Sequence, residues 1–308
     1  MDRLAALKQA LGQRVCANEP LSRHTTSRIG GPADLLVEAT NADDLRDLTL
    51  AARRDAVPVF ILGGGANILV SDAGVRGLTI LNKARRLEFL GGGRVRAESG
   101  VILPTLAREC IARGLSGLEW AIGVPGTVGG AVVGNAGAHG RDTASDLKRV
   151  WILGPDNAVR EWSAEELAFE YRGSWLKSAI RNPQSEIPPV VLAVEFQLTP
   201  GSPVELERKA AEFNEYRRRT QPPGASIGSM FKNPPGDAAG RLIDAAGLKG
   251  TRIGRAEISR VHANFFVNLG GAQAQDVLAL IDLARKTVRE KFGVALELEI
   301  ELVGEWKP

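Results

Sequence analysis

The 308-residue chain is 44% hydrophobic and 24% charged, the composition of ordinary folded domains, with material for two or three of them. Its 39 basic and 36 acidic residues leave a net charge of +3, too small a surplus for a nucleic-acid binder but compatible with small anionic ligands. Charges at Asp2, Arg3, Lys8 and Arg14 break any leader-peptide core, and no run of about 18 apolar residues follows, so a cytoplasmic protein without membrane insertion is expected.

In chain order, Asp34–Ala39 reads as a strand and Ala42–Ala56 as a helix with Asn41 as its N-cap. The apolar run Val57–Leu62 then ends in Gly63-Gly64-Gly65-Ala66-Asn67. Strand, helix, strand and Gly-rich turn outline a nucleotide-binding unit, yet Ile68 stands where a Rossmann motif needs its third glycine, and no Gly-Lys-Ser/Thr follows for a P-loop. Ile68–Ser71 and the strand Leu78–Leu81 close a first domain near residue 82. Leu87–Leu90, the turn Gly91–Gly93 and Arg94–Glu98 read as a hairpin, and Leu103–Arg113 as a helix stopped by Gly114. Leu147–Leu153 and Val159–Trp162 form a second hairpin, and Ser163 and Glu166 have capping-box spacing for a helix over Ala164–Phe169. After the strand Val190–Leu198, Pro203 opens a helix over Val204–Arg219 and a second boundary falls near residue 201. The last third holds the loop Gln221–Gly236, a short helix near Arg241–Ala246, a strand at Asn264–Asn268, a helix over Ala274–Phe292 and a strand over Val294–Val303. Cys16 and Cys110 form no C-x-x-C pair, and His24, His139 and His262 lack metal-ligand spacing, so reduced thiols and no metal are expected.

Between these elements lies Gly117–Gly140, GLEWAIGVPGTVGGAVVGNAGAHG, with eight glycines, four alanines and one formal charge at Glu119. Such a stretch lets backbone approach a ligand closely, and N–H groups freed in Gly-rich turns make concave anion sites. A glycine-punctuated bend in a buried sheet fits the same residues.

Seven motifs, met in order, give the chain a resemblance to the UDP-N-acetylenolpyruvoylglucosamine reductases, flavoenzymes of bacterial peptidoglycan precursor synthesis. They are Arg28-Ile29-Gly30-Gly31-Pro32-Ala33, LGGGANILVSD at Leu62–Asp72, the stretch Gly117–Gly140, Tyr171-Arg172-Gly173-Ser174, GSMFKNP at Gly228–Pro234, Gly247-Leu248-Lys249-Gly250 and Leu296–Gly304. The resemblance implies an α+β architecture: a two-subdomain FAD-binding fold of the vanillyl-alcohol-oxidase/PCMH type over residues 1–82 and 83–201, with an α+β substrate domain over 202–308. It also implies non-covalent FAD, NADPH as hydride donor, UDP-N-acetylglucosamine enolpyruvate as substrate, and a monomer. Only 31 residues separate Arg172 from Val204, so the chain resembles the shorter subtype without a tyrosine-bearing insertion.

Carried onto this sequence, the resemblance assigns the flavin to Gly63, Gly64, Gly65, Ala66, Asn67 and Ile68, and to Ala121, Gly123, Pro125, Gly126, Gly129, Gly130, Asn135, Ala136 and Gly137. The pyrophosphate suits the N–H groups of the first segment, and the flat isoalloxazine ring needs walls as thin as the second. In the family hydride passes from NADPH to FAD and then to the methylene carbon of the enolpyruvyl group. The resemblance makes Ser229 the acid that protonates the neighbouring carbon, where a serine is otherwise a turn residue. It sets Arg172 beside the substrate carboxylate and selects Glu299 among Glu297, Glu299 and Glu301, which otherwise read as a solvated face. Arg217, Lys232, Asn233 and Arg241 fall to the substrate, although Arg217-Arg218-Arg219 also suits a helix C-terminus by dipole. His139 stands where many members carry Tyr or Phe. An oxidase on the same flavin fold, or a nucleotide-binding module without chemistry, would share the Gly-rich loops.

Overall fold

The computed structural model describes residues 3–182 and 187–306. The chain divides into two compact units, both discontinuous in sequence: one holds the residues up to Cys16 with Leu35–Gly64 and Gly77–Glu215, the other Ala17–Asp34, Gly65–Arg76 and the chain from Tyr216 on.

The strands Val15–Pro20, Pro32–Ala39, Val75–Asn82 and Val59–Leu62 lie in that order in one sheet, with the last two parallel, and residues 15–16, 35–39, 59–62 and 77–82 are its part in the first unit. Helix Ala42–Arg54 connects Pro32–Ala39 to Val59–Leu62; Asn41 caps it by accepting from the Asp44 N–H at 2.9 Å. Its buried Leu45, Leu48 and Ala52 join Val37, Leu78 and Ile80 in one apolar cluster. Leu7, from the helix Arg3–Leu11, belongs to the same cluster; Leu4, Leu7 and Leu11 carried that signal in the sequence at helical spacing. A five-stranded antiparallel sheet follows, in the order Val159–Ser163, Leu147–Leu153, Val190–Gln197, Arg94–Glu98 and Leu87–Gly91. Its inward face packs with helix Leu103–Ala112 around Phe196 and Trp120.

In the second unit the antiparallel order is Ala225–Ser229, Phe265–Asn268, Ala256–Ile258, Arg252–Ile253. The core of Phe231, Phe266, Leu280 and Ile281 sits between these strands and helix Ala274–Phe292. Ile68–Val70 runs parallel to Glu301–Val303 in the same unit. No helix among the described residues is long and apolar enough to cross a membrane.

Two local expectations change. The capping bonds of Ser163 and Glu166 form in both directions, at 2.7 and 3.3 Å, but the residues after them run as turns, with Ala168 at φ 44°. A cap satisfies the first amides of a helix without supplying the apolar face that sustains one, and here no such face follows. The final strand is hydrogen-bonded as a strand only over Glu301–Val303; Leu296 and Ile300 are buried as the alternation requires, whereas Leu302 is 39% exposed.

Asp72 caps the longest helix from a distance in sequence. Its two carboxylate oxygens accept from the N–H groups of Ala274 at 2.8 Å and Gln275 at 3.1 Å. Asp72→Ala should therefore destabilise the protein by about 1–2 kcal/mol and lower a thermal melting midpoint by about 2–4 °C, read by circular dichroism.

Candidate active site

The glycines of LGGGANILVSD are set by contact. A Cβ on Gly63 would lie 2.5 Å from the Thr127 hydroxyl oxygen, and one on Gly64 would lie 2.8 Å from the Gly126 Cα, so the two Gly-rich segments touch through backbone. Among the described residues, the N–H groups of Gly64, Gly65, Ala66 and Asn67 donate no hydrogen bond to protein. Four successive free amides on a bare loop suit an anionic phosphate group, so the segment fits the pyrophosphate of a dinucleotide cofactor. Within the longer stretch Ala121 is buried, Gly123 and Gly126 are half-buried, and Pro125 and Gly130 are exposed. Gly129 is different: its N–H donates to the Ser99 carbonyl at 2.8 Å and its Cα packs on Ser99.

This stretch is anchored by its one charge. Glu119 is 1% exposed and accepts from the Ser116 hydroxyl at 2.8 Å and the Gly117 N–H at 2.9 Å, with the Lys209 ammonium 3.5 Å away. Burial pushes its pKa up. The hydrogen bonds from its own backbone, Ser116 and Gly117, with Lys209, outweigh that effect and hold the carboxyl below its usual range.

Three residues with side chains adopt left-handed backbone close by: Asn135 at φ 42°, His139 at φ 54° and Arg172 at φ 58°. Asn135 spends its amide on protein, donating to Asp142 at 3.1 Å and the Glu170 carbonyl at 3.0 Å and accepting from the Ala144 N–H at 3.1 Å. It braces the turn that carries Arg172. Ala136 is likewise engaged, its carbonyl accepting from the Thr143 N–H at 2.9 Å. The Arg172 guanidinium donates to the Gly137 carbonyl at 2.9 Å and lies over the Tyr171 ring at 5.4 Å. The His139 ring stacks on Phe213 at 4.0 Å, nearly parallel.

In the second unit, Ser229 ends a strand that carries a bulge. Ser226 pairs with Val267 but Ser229 pairs with Phe265, so one extra residue intervenes, with Gly228 at φ 89°. Bulges re-aim the side chain beyond them. The next residues pair with the C-terminal segment: the Glu299 N–H donates to the Met230 carbonyl at 2.9 Å, and the Lys232 N–H to the Glu297 carbonyl at 2.9 Å. Asn67 completes the frame by donating from its side chain to the Glu299 carbonyl at 3.1 Å and accepting the Glu301 N–H at 2.9 Å. Asn67, Ser229 and Glu299 thus share one hydrogen-bonded framework, and Ile68 begins the strand that continues it. Ser229 and Glu299 are both half-buried.

The remaining residues separate by surroundings. Arg217 is half-buried while Arg218 and Arg219 are exposed; burial alone pushes its guanidinium pKa down, with no carboxylate among the described residues offsetting it. The Lys232 ammonium lies 3.6 Å from Glu297. Asn233 accepts the Ala239 N–H at 3.1 Å and so caps helix Ala239–Ala245. Arg241 is exposed and bonded to Asp237 one turn earlier. Sequence reasoning passed over His262. Its Nδ1 accepts the Asn264 N–H at 3.2 Å, which leaves the ring proton on Nε2, and burial together with the Lys249 charge pushes its pKa down. Asn264 also clamps both backbone groups of Phe231, so this neutral ring sits behind the Ser229 loop. The signal was faint: a lone histidine two residues before an asparagine.

Comparison with known proteins is consistent across the chain. Residues 33–159 match the family model of an FAD binding domain, and residues 220–303 that of the UDP-N-acetylenolpyruvoylglucosamine reductase C-terminal domain. The UDP-N-acetylenolpyruvoylglucosamine reductase of Rubrobacter xylanophilus is 48% identical over 289 residues, covering 94% of this chain and 95% of that one. The enzyme of the same name from Chloroflexus aggregans is 45% identical, covering 96% and 100%. Among solved structures, UDP-N-acetylenolpyruvylglucosamine reductase from Thermus caldophilus superposes with a TM-score of 0.79 at 38% identity, covering 94% of this chain and 99% of that one.

The lowered pKa of Glu119 sets a pH dependence. A carboxyl with a depressed folded pKa contributes stability above its unfolded value, near about 4.3, and loses it as pH falls through the folded value. The melting midpoint of the wild type should therefore exceed that of Glu119→Gln by a constant margin above about pH 5, and the margin should shrink steadily toward pH 3.

Proposed function

The chain belongs to the UDP-N-acetylenolpyruvoylglucosamine reductase family, and on that premise we propose how its residues divide the reduction of UDP-N-acetylglucosamine enolpyruvate to UDP-N-acetylmuramate. When bound, FAD supplies a hydride carrier between NADPH and the methylene carbon of the enolpyruvyl group. Its pyrophosphate falls to the amides of Gly64–Asn67, and its ring to the thin-walled stretch around Ala121–Gly126. The Ser229 hydroxyl gives its proton to the carbon that bears the carboxylate, so that one hydrogen reaches each end of the double bond. Negative charge develops on the carboxylate oxygens before that transfer. The Arg172 guanidinium holds those oxygens, and Glu299 in its protonated form donates a further hydrogen bond to them.

The observation that carries this reading is the framework joining Asn67, Ser229 and Glu299. Flavin loop, proton donor and enolate partner are tied through backbone and amide contacts at 2.9–3.1 Å rather than through mobile side chains. That is the preorganisation an acid with an unperturbed hydroxyl requires. Residues 1–82 and 83–201 then serve the flavin and 202–308 the substrate, a division supported by the two matched family models. NADPH as reductant supports a cytoplasmic location.

The two half-reactions separate the roles. In Ser229→Ala, anaerobic NADPH should bleach the flavin at a near-normal rate. Reoxidation by the enolpyruvyl substrate should slow at least about 10²-fold. Stopped-flow absorbance reads both steps on one sample, and equal slowing of both would make Ser229 a shaping residue only.

Arg217 is treated as a binder of the diphosphate, because a half-buried guanidinium without a carboxylate is a stored partner for an anion. Arg217→Ala should raise the substrate KM by at least about tenfold with kcat changed less than about twofold, the pattern of a group binding ground and transition states alike. Unchanged steady-state kinetics would return Arg217 to the solvated helix end.

A further inference from the structure

The helix that follows the turn carrying Arg172 has a buried lysine in its first turn. Glu170 and Gly173 close the turn with two hydrogen bonds of 3.1 Å, and Arg172 occupies its third position at φ 58°. Glycine is the usual occupant of such a position, because a Cβ there crowds the backbone. A Cβ on Gly173 would crowd the exposed Glu170 side chain, whose Oε1 would lie 2.5 Å away. Ser174 then caps the helix Trp175–Arg181, its hydroxyl accepting the Lys177 N–H at 3.3 Å and donating to the Val133 carbonyl at 2.8 Å.

Lys177 is the third residue of that helix, where a capping box places Glu or Gln. A cation there opposes the helix dipole, and Lys177 is only 7% exposed, so it also loses hydration. Side chains near a helix start point back toward its N-terminus, and the Lys177 ammonium reaches the Arg172 carbonyl at 3.0 Å. Arg172 is held through its carbonyl on Lys177, its guanidinium on Gly137, and the preceding Glu170 carbonyl on Asn135.

From this geometry we infer that Lys177 is a positioning residue for the reaction: its buried ammonium holds Arg172 in left-handed backbone and so aims the guanidinium at the substrate carboxylate. The inference rests on the role proposed for Arg172. The lysine makes no contact with substrate in this scheme. Its charge adds to the positive potential around an anionic group, and its hydrogen bond offsets the strain of a side chain where glycine is preferred.

The test uses the full-length flavin-loaded enzyme carrying Lys177→Gln, Lys177→Met, Lys177→Arg, Arg172→Ala, and Lys177→Gln with Arg172→Ala. Lys177→Gln completes the capping box, so its melting midpoint and flavin content should not fall. Flavin reduction by NADPH should stay within about twofold, while reoxidation by the enolpyruvyl substrate should slow roughly 10- to 100-fold, the cost of misaiming a group by about an ångström. Lys177→Met should behave likewise in reoxidation, and Lys177→Arg should recover most of the rate. In the Arg172→Ala background Lys177→Gln should change reoxidation less than about twofold, because two residues acting as one unit are non-additive. Normal reoxidation in Lys177→Gln beside a slow Arg172→Ala overturns the inference and leaves the Arg172 role standing. Normal reoxidation in Arg172→Ala overturns both. Loss of flavin or of folding in every Lys177 variant, or multiplicative effects in the double variant, makes the lysine structural.

Discussion

The structure depends most on a pairing between residues far apart in sequence, the parallel alignment of Ile68–Val70 with Glu301–Val303. Parallel strands need a long connection, and here the connection is most of the chain. Asn67 extends that pairing by two hydrogen bonds to Glu299 and Glu301, across a separation of 232 residues in the first case. Closing so long a loop costs entropy that only a large buried core can offset, and the core of Phe231, Phe266 and Leu280 lies in the same unit. One consequence concerns chemistry. The second half of the Gly-rich loop, the Ser229 strand and the Glu299 segment are one hydrogen-bonded body, so a shift in any of them is transmitted to the others as a whole rather than absorbed by side-chain rotation.

The first unit solves a different problem. Gly117–Gly140 has too few side chains to build a core, yet it lies between a sheet and two helices. Trp120, Val128 and Val132 insert into the surrounding apolar cluster, and Glu119 ties the entry of the stretch by three polar contacts. The backbone beyond that entry is strained: Asn135, His139 and Arg172 each carry a side chain in left-handed backbone, at roughly 1–3 kcal/mol apiece. Such strain persists only where neighbours over-determine it, and each residue has its own fastening. Asn135 uses both ends of its amide, His139 stacks on Phe213, and Arg172 is held at its carbonyl and its guanidinium. Strain concentrated beside a proposed ligand site favours rigidity there.

Among the candidate site residues, geometry sharpens the sequence reading unevenly. Of three consecutive arginines it distinguishes Arg217 by burial, which no periodicity argument on a polar helix could do. It gives Asn233 and Arg241 structural partners of their own, a helix cap and an ion pair with Asp237. His262 was invisible as a lone histidine and becomes noticeable through its contact with Asn264, the residue that clamps Phe231.

By itself the sequence determined the local elements and the family. Helix Ala42–Arg54, helix Ala274–Phe292 and the two hairpins were legible because a buried face repeats every 3.6 or 2 residues, and the seven motifs were legible as a family pattern, in which Gly31, Gly64, Gly65 and Gly304 sit where backbones touch while Gly228 and Gly247 face open space. Only the tertiary structure decided what those elements join. That residues 65–76 fold with the C-terminal third, that Ser163 and Glu166 form a cap with no helix behind it, and that Lys177 is buried under Arg172 are all outcomes of contacts between distant segments. Periodicity reports which face of a segment is apolar. It carries no record of the partner that covers that face, because the partner is selected by the summed packing of the whole chain.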